Sequence, residues 1–176
     1  MRENTSPTHQ TRPSTANNAT RTTTKAAGLK RSKHNPTPMP CLFCEIAAHR
    51  VPAHIIYEDE HTIAFLDIRP GAPGHTLLIP KTHAARIEDL TPEQAQALFT
   101  TLHKILKPIT RATEEEATTI GINNGPGSGQ EIPHVHIHIL PRHRGDRGGI
   151  IQQTGPGAKP PTRETAEKIR TAIQST

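Results

Sequence analysis

The sequence predicts an α+β fold: a five-stranded, mainly antiparallel sheet with a long helix on one face and a short N-terminal helix. Three observations carry this. Five short runs of β-branched, aromatic or aliphatic residues lie between Ile55 and Leu140, separated by Gly, Pro or polar residues. One segment, Ala95, Leu98, Leu102, Ile105 and Ile109, forms an apolar stripe of helical period. A shorter helical spacing, Leu42, Phe43, Ile46 and Ala47, precedes the first strand.

The elements follow in order. Cys41 opens the short helix. Ile55–Glu58 and His61–Ile68 read as strands, and Asp59-Glu60 between them suggests a hairpin. Pro70-Gly71-Ala72-Pro73-Gly74 is a turn, followed by a third strand, His75–Pro80, stopped by a proline that cannot donate to a ladder. Thr91-Pro92-Glu93-Gln94 is a helix start, with a capping Thr, Pro at the first helical position and Gln placed to close a capping box. Pro108 should end or kink this helix near its last turn. Thr118–Asn123 is the fourth strand, Asn124–Gln130 a glycine-rich loop, and His134–Leu140 the fifth strand. After a loop dense in Gly and Pro, Ala166, Ile169 and Ile173 mark a terminal helix opened by Thr162.

At 176 residues the chain suits one folded unit. Residues 1–40 lack any cluster of large apolar side chains and hold seven cations against Glu3 alone, so they read as a disordered basic arm. The rest has fourteen cations and fifteen acids, so the high pI belongs to the arm. Such an arm can solubilise the chain, or hold nucleic acid loosely by counterion release. An organelle transit peptide is a further reading, against which stands the lack of an amphipathic stripe. Residues 41–145 form the expected catalytic domain, and 146–176 the loop and terminal helix. No apolar run approaches a membrane span, no secretory core is visible, and the expected location is cytoplasmic. Cys41 and Cys44 sit three apart, which is metal or redox spacing.

His134-Val135-His136-Ile137-His138-Ile139-Leu140 alternates imidazole with aliphatic residues. In extended chain this puts three imidazoles on one side and Val135, Ile137 and Ile139 in the core. Three titratable rings on one strand face are costly to bury unless each finds partners, which points to a functional site. A three-histidine zinc centre is one answer, although alternate residues of a single strand favour only a pair of ligands.

This string fits the pattern His-φ-His-φ-His-φ-φ, with φ apolar, and so resembles the histidine triad family of nucleotide-binding proteins. Asp67-Ile68-Arg69-Pro70-Gly71-Ala72-Pro73-Gly74-His75, the strand end Ile79-Pro80-Lys81-Thr82-His83, and the loop Asn123-Asn124-Gly125 through Gly129-Gln130 look like further blocks of that family. The resemblance spans about Cys41 to Arg142. It implies that His136 is a nucleophile attacking the α-phosphorus of a nucleotide, with His134, His138 and His75 as the remaining imidazoles of the site. It implies that Asp67 accepts the ribose hydroxyls, that Ile46, Phe65 and Ile68 wall the base, and that Asn123, Gly129 and Gln130 face phosphate. A turn-capping Asp67 and plain core positions for the three apolar residues are the plainer readings. Glu131 departs from the pattern, because the phosphoramidase branch commonly has a hydroxyl residue there.

Cys41, Cys44, His83 and His134 suit structural Zn²⁺, and the resemblance implies such a site; none is required for catalysis. His134 then has two competing assignments, metal ligand and member of the catalytic triad. The expected activity is cleavage of a nucleoside monophosphate from a phosphoramidate or related purine nucleotide conjugate. Hydrolysis of dinucleoside polyphosphates and a nucleotide-binding regulatory module are the alternatives, and the resemblance implies a homodimer.

Overall fold

The computed structural model describes residues 40–146 and 160–175. The basic arm, up to residue 39, and the loop over 147–159 lie outside the described residues.

The predicted sheet is present, with every neighbouring pair antiparallel. Its strands are β1 Ile55–Glu58, β2 Thr62–Leu66, β3 Thr76–Pro80, β4 Ala117–Gly121 and β5 Ile137–Arg142, in the spatial order β1-β2-β3-β5-β4. Helix α1 is Leu42–Ala47, α2 is Pro92–Thr113 and α3 is Arg163–Gln174. The β1–β2 hairpin is set by Asp59, whose Oδ1 accepts from the amides of His61 (2.9 Å) and Thr62 (2.7 Å) and from the Thr62 hydroxyl (3.0 Å). Its Oδ2 accepts from Tyr57 (2.9 Å) and from Thr101 of α2 (3.2 Å). The residue thus ties the hairpin to the long helix.

Strand alternation divides the core in two. Ala64, Leu66, Leu78, Val135, Ile137 and Ile139 pack with the stripe of α2 (Leu98, Leu102, Ile105, Ile109) and with Ala166, Ile169 and Ile173 of α3. Ile63, Phe65, Leu77 and Ile79 point to the other face and pack with Phe43 and Ile46 of α1. The two faces therefore have different tenants: two helices on one, a six-residue helix and the histidines on the other.

The α2 start is as predicted, with Thr91 and Gln94 closing the capping box. Its end is not. The helix runs through Pro108 to Thr113 and stops at Glu114, which is left-handed at φ 59°. A proline forfeits one bond to the carbonyl four residues back, and here the Pro108 ring is buried. Gly74, at φ 76°, lies where an added Cβ would sit 2.4 Å from Thr113 Cγ2, so the β2–β3 turn and the end of α2 meet only because no side chain intervenes.

Strand limits also differ from the sequence reading, β3 by beginning at Thr76 and β5 by running on to Arg142. β2 is shorter than His61–Ile68, because His61 belongs to the Asp59 turn and Asp67 and Ile68 to the next loop. β4 begins at Ala117 and ends at Gly121. β5 begins at Ile137, not His134, because the Val135 amide donates to Ala84 O (2.8 Å) in a loop instead of to a neighbouring strand. Within α1, Leu42 faces outward, 41% exposed, rather than joining the apolar stripe.

Candidate active site

Although His134 and His136 precede the strand proper, the alternation survives. Val135, Ile137 and Ile139 enter the helix-side core, while the rings of His134 and His136 meet Phe43 edge-on at centroid distances of 5.9 and 5.2 Å. The His136 and His138 rings lie 4.9 Å apart. All three imidazoles therefore share the α1 side of the sheet.

Their hydrogen bonds fix which nitrogen carries the proton. His136 Nδ1–H donates to the His134 carbonyl at 2.7 Å, so Nε2 holds the lone pair. Nε2 has no hydrogen-bond partner among the described residues, and no fully buried side-chain nitrogen or oxygen there lacks one, so this atom reaches solvent. Burial holds the His136 pKa below its ordinary value, against the opposing pull of the His134 carbonyl and Asp67. The ring is therefore uncharged at neutral pH, with its lone pair on Nε2.

A relay stands beside it. The Gly71 amide donates to His75 Nδ1 at 3.0 Å, which leaves the His75 proton on Nε2, where it is donated to His138 Nδ1 at 3.0 Å. His138 therefore carries its proton on Nε2, as a donor next to His136. Burial, with the Arg142 charge and that of His136 when protonated, pushes His75 down to about 4; burial, with His136 and His75 when protonated, does the same for His138. Asp67, between β2 and β3, accepts from the Arg69 amide (2.8 Å) and places its second oxygen 3.7 Å from His75 Nδ1.

His134 belongs to a different group. Its Nε2–H donates to Pro80 O at 2.9 Å, which frees Nδ1 toward Cys41 Sγ (3.4 Å) and Cys44 Sγ (3.5 Å). His83 Nδ1 lies 3.4 Å from Cys44 Sγ. One ligand atom from each of the four residues falls within 4.8 Å of the others. A tetrahedral zinc, with Zn–S about 2.3 Å and Zn–N about 2.0–2.1 Å, would set S···N edges of about 3.6 Å, so donor set and spacing both fit that ion. The bond to Pro80 is the outer contact that such a histidine ligand ordinarily makes. With only protein around it, burial and the neighbouring Cys41 thiol push Cys44 up to about 11, and a bound cation would reverse this. The two assignments of His134 are thereby separated: its ring faces the thiols, and only its carbonyl serves His136.

The loop residues divide as well. The Gln130 side chain is engaged by protein, accepting from Gly125 N (2.7 Å) and donating to Ala85 O (2.8 Å) and His134 O (3.3 Å), so it braces the loop. Asn123 donates to Gly129 O at 3.4 Å, and Gly129 is left-handed at φ 87°. Ile46 and Phe65 are buried with Phe43, whereas Ile68 is 73% exposed beside Asp67. Glu131 turns outward and pairs with Arg69 at 3.1 Å. Sequence reasoning missed Phe43 as part of the site; its signal was an aromatic residue placed between two metal-spaced cysteines. It also missed the Gly71 amide and Pro80 carbonyl, which no side-chain pattern reports.

The HIT domain family matches residues 48–145, which includes the alternating histidines, Asp67, His75 and the glycine loop. The chain belongs to the HIT family. A HIT protein of Bacillus subtilis is 44% identical over 119 residues, covering 65% of this chain and 79% of its own length. The adenosine 5'-monophosphoramidase of Saccharomyces cerevisiae is 36% identical over 111 residues, covering 63% and 67%. Among solved structures, a zinc-bound histidine triad protein of Mycobacterium smegmatis superposes with a TM-score of 0.68 at 34% identity, covering 78% of this chain and 95% of that one. Among the described residues of this HIT protein, no helix is long and apolar enough to cross a membrane.

Proposed function

We propose that this HIT protein cleaves a nucleoside monophosphate from a phosphoramidate or related conjugate through a nucleotidyl-histidine on His136. The observation that carries the reading is the His136 tautomer, with its proton tied to the His134 carbonyl and its Nε2 lone pair free to meet an electrophile. That lone pair attacks the α-phosphorus in line, a P–N bond forms, and the bond to the leaving group breaks. The leaving nitrogen takes its proton from solvent and departs as the neutral amine, while His138, held as an Nε2–H donor by His75, keeps its proton and hydrogen-bonds the transferring phosphoryl group. Water then hydrolyses the adduct.

Asp67 takes the ribose hydroxyls, Ile68 offers an exposed wall for the base, with Ile46 and Phe65 in the apolar cluster beneath the site, and the Asn123–Gly129 loop faces phosphate. Cys41, Cys44, His83 and His134 hold a structural zinc; the chemical step uses the protein's own imidazoles. The S. cerevisiae relative, an adenosine 5'-monophosphoramidase, supports the substrate class.

The test is adenosine 5'-phosphoramidate beside diadenosine tetraphosphate, with wild type and His136→Ala. Wild type should prefer the phosphoramidate and form an acid-labile adduct. The variant should lose turnover by about 10³-fold or more while binding AMP within a few fold. Undiminished turnover in His136→Ala sinks the mechanism.

A further inference from the structure

The nucleophile is held at two points, and both lead back to the cysteine–histidine cluster. The first is the His134 carbonyl, which accepts from His136 Nδ1 at 2.7 Å and from Gln130 Nε2 at 3.3 Å. The ring of that same residue faces Cys41 and Cys44. The second is Phe43, which sits between the two cysteines in α1 and meets the His136 ring at 5.2 Å and 76°. Helix α1 has six residues, and its N-cap residue, Cys41, makes no side-chain capping bond. A helix this short does not hold itself, and hydrogen bonds to sulfur are weak. Besides burial of Phe43 and Ile46, a metal joining Cys41 and Cys44 to His83 and His134 is what would pin α1 to the strand entry.

We infer that this cluster, loaded with its metal, positions the nucleophile: it fixes the His134 carbonyl that orients His136 and the Phe43 ring that walls it. His134 and Phe43 are then positioning residues, acting through His136 without touching substrate. The inference rests on the reading of His136 as nucleophile, and it makes metal occupancy a determinant of kcat more than of nucleotide affinity. Displacing a reacting group by about 1 Å costs on the order of 100-fold in rate, so a small loosening of α1 is enough.

The experiment uses the full chain, with zinc quantified by elemental analysis and three readouts: kcat, AMP affinity, and ring ¹⁵N NMR of His136. The main variant is His83→Ala, because His83 is the exposed ligand and meets the His134 ring edge-on at 5.2 Å, whereas the bond that orients His136 is to the His134 carbonyl. Folded His83→Ala with depleted zinc should show His136 exchanging between tautomers, kcat lower by about 10–100-fold, and AMP affinity within about threefold. Zinc-free His83→Ala with wild-type kcat and a single Nδ1–H tautomer overturns the inference.

Should His83→Ala fail to fold, Phe43→Leu decides, since it keeps all four ligands. Full zinc and unchanged AMP affinity with kcat down at least about tenfold support positioning; unchanged kcat overturns it. If wild type turns over no nucleotide conjugate, the functional reading fails separately. The NMR comparison of zinc-loaded and zinc-depleted protein then decides the coupling alone, a retained single tautomer overturning it.

Discussion

Acid should destabilise this protein through His75, over a window set by the fold. His75 is 4% exposed and is pushed down to about 4 from an ordinary value of 6.5. The groups facing it are the Arg142 cation, which disfavours its proton, His136, which does the same once acid protonates it, the His138 ring bonded to it, and Asp67 at 3.7 Å. Its folded pKa lies below its unfolded one, so between the two the unfolded chain binds the extra proton and stability falls as pH falls. Its contribution is whole above about pH 6.5 and is lost on the way down to 4. At about 1.4 kcal/mol for each pH step of one within that window, the loss is about 2 kcal/mol by about pH 5 and about 3 by about pH 4. Urea unfolding of wild type and His75→Asn at about pH 7.5 and about pH 5 isolates this share. The variant should start less stable but lose about 2 kcal/mol less on acidification. Equal losses in the two proteins would refute the buried-neutral assignment of His75.

Two further predictions concern the frame that holds the site. Gly74→Ala must accept both a left-handed backbone and a Cβ 2.4 Å from Thr113 Cγ2, so it should lower unfolding free energy by about 2–4 kcal/mol, measured by denaturant titration. A loss below about 0.5 kcal/mol would mean that the turn does not pack on α2 as described. Asp59→Ala strips partners from the Thr62 amide and from the buried Thr62 and Thr101 hydroxyls, and should cost about 2–3 kcal/mol while leaving kcat of the folded protein unchanged. A loss of turnover without loss of stability would place Asp59 in the chemistry instead.

Much of this was legible in residue order, and the failures are instructive. The α2 stripe and its Thr91–Gln94 box were readable because helix period and capping are local properties. Pro108 does not end the helix, because the cost of a proline is local while the burial of its ring depends on the rest of the fold. The Ile46, Phe65 and Ile68 set divides by burial: the first two are buried with Phe43, and Ile68 is exposed next to Asp67. Gln130 was expected to face phosphate, yet its amide is bonded to Gly125, Ala85 and His134, contacts that composition cannot foretell.

By itself the sequence determined that three imidazoles stand on one side of the segment that leads into the fifth strand, because extended chain repeats every two residues whatever surrounds it. Only the tertiary structure decided which nitrogen of each imidazole carries its proton. Pro80 and the thiols of Cys41 and Cys44 converge on the His134 ring, the His134 carbonyl takes the His136 proton, and Gly71 sets His75 and through it His138. A histidine's role is set by which of its two nitrogens is protonated. Partners that are distant along the chain, or that belong to the backbone, make that choice.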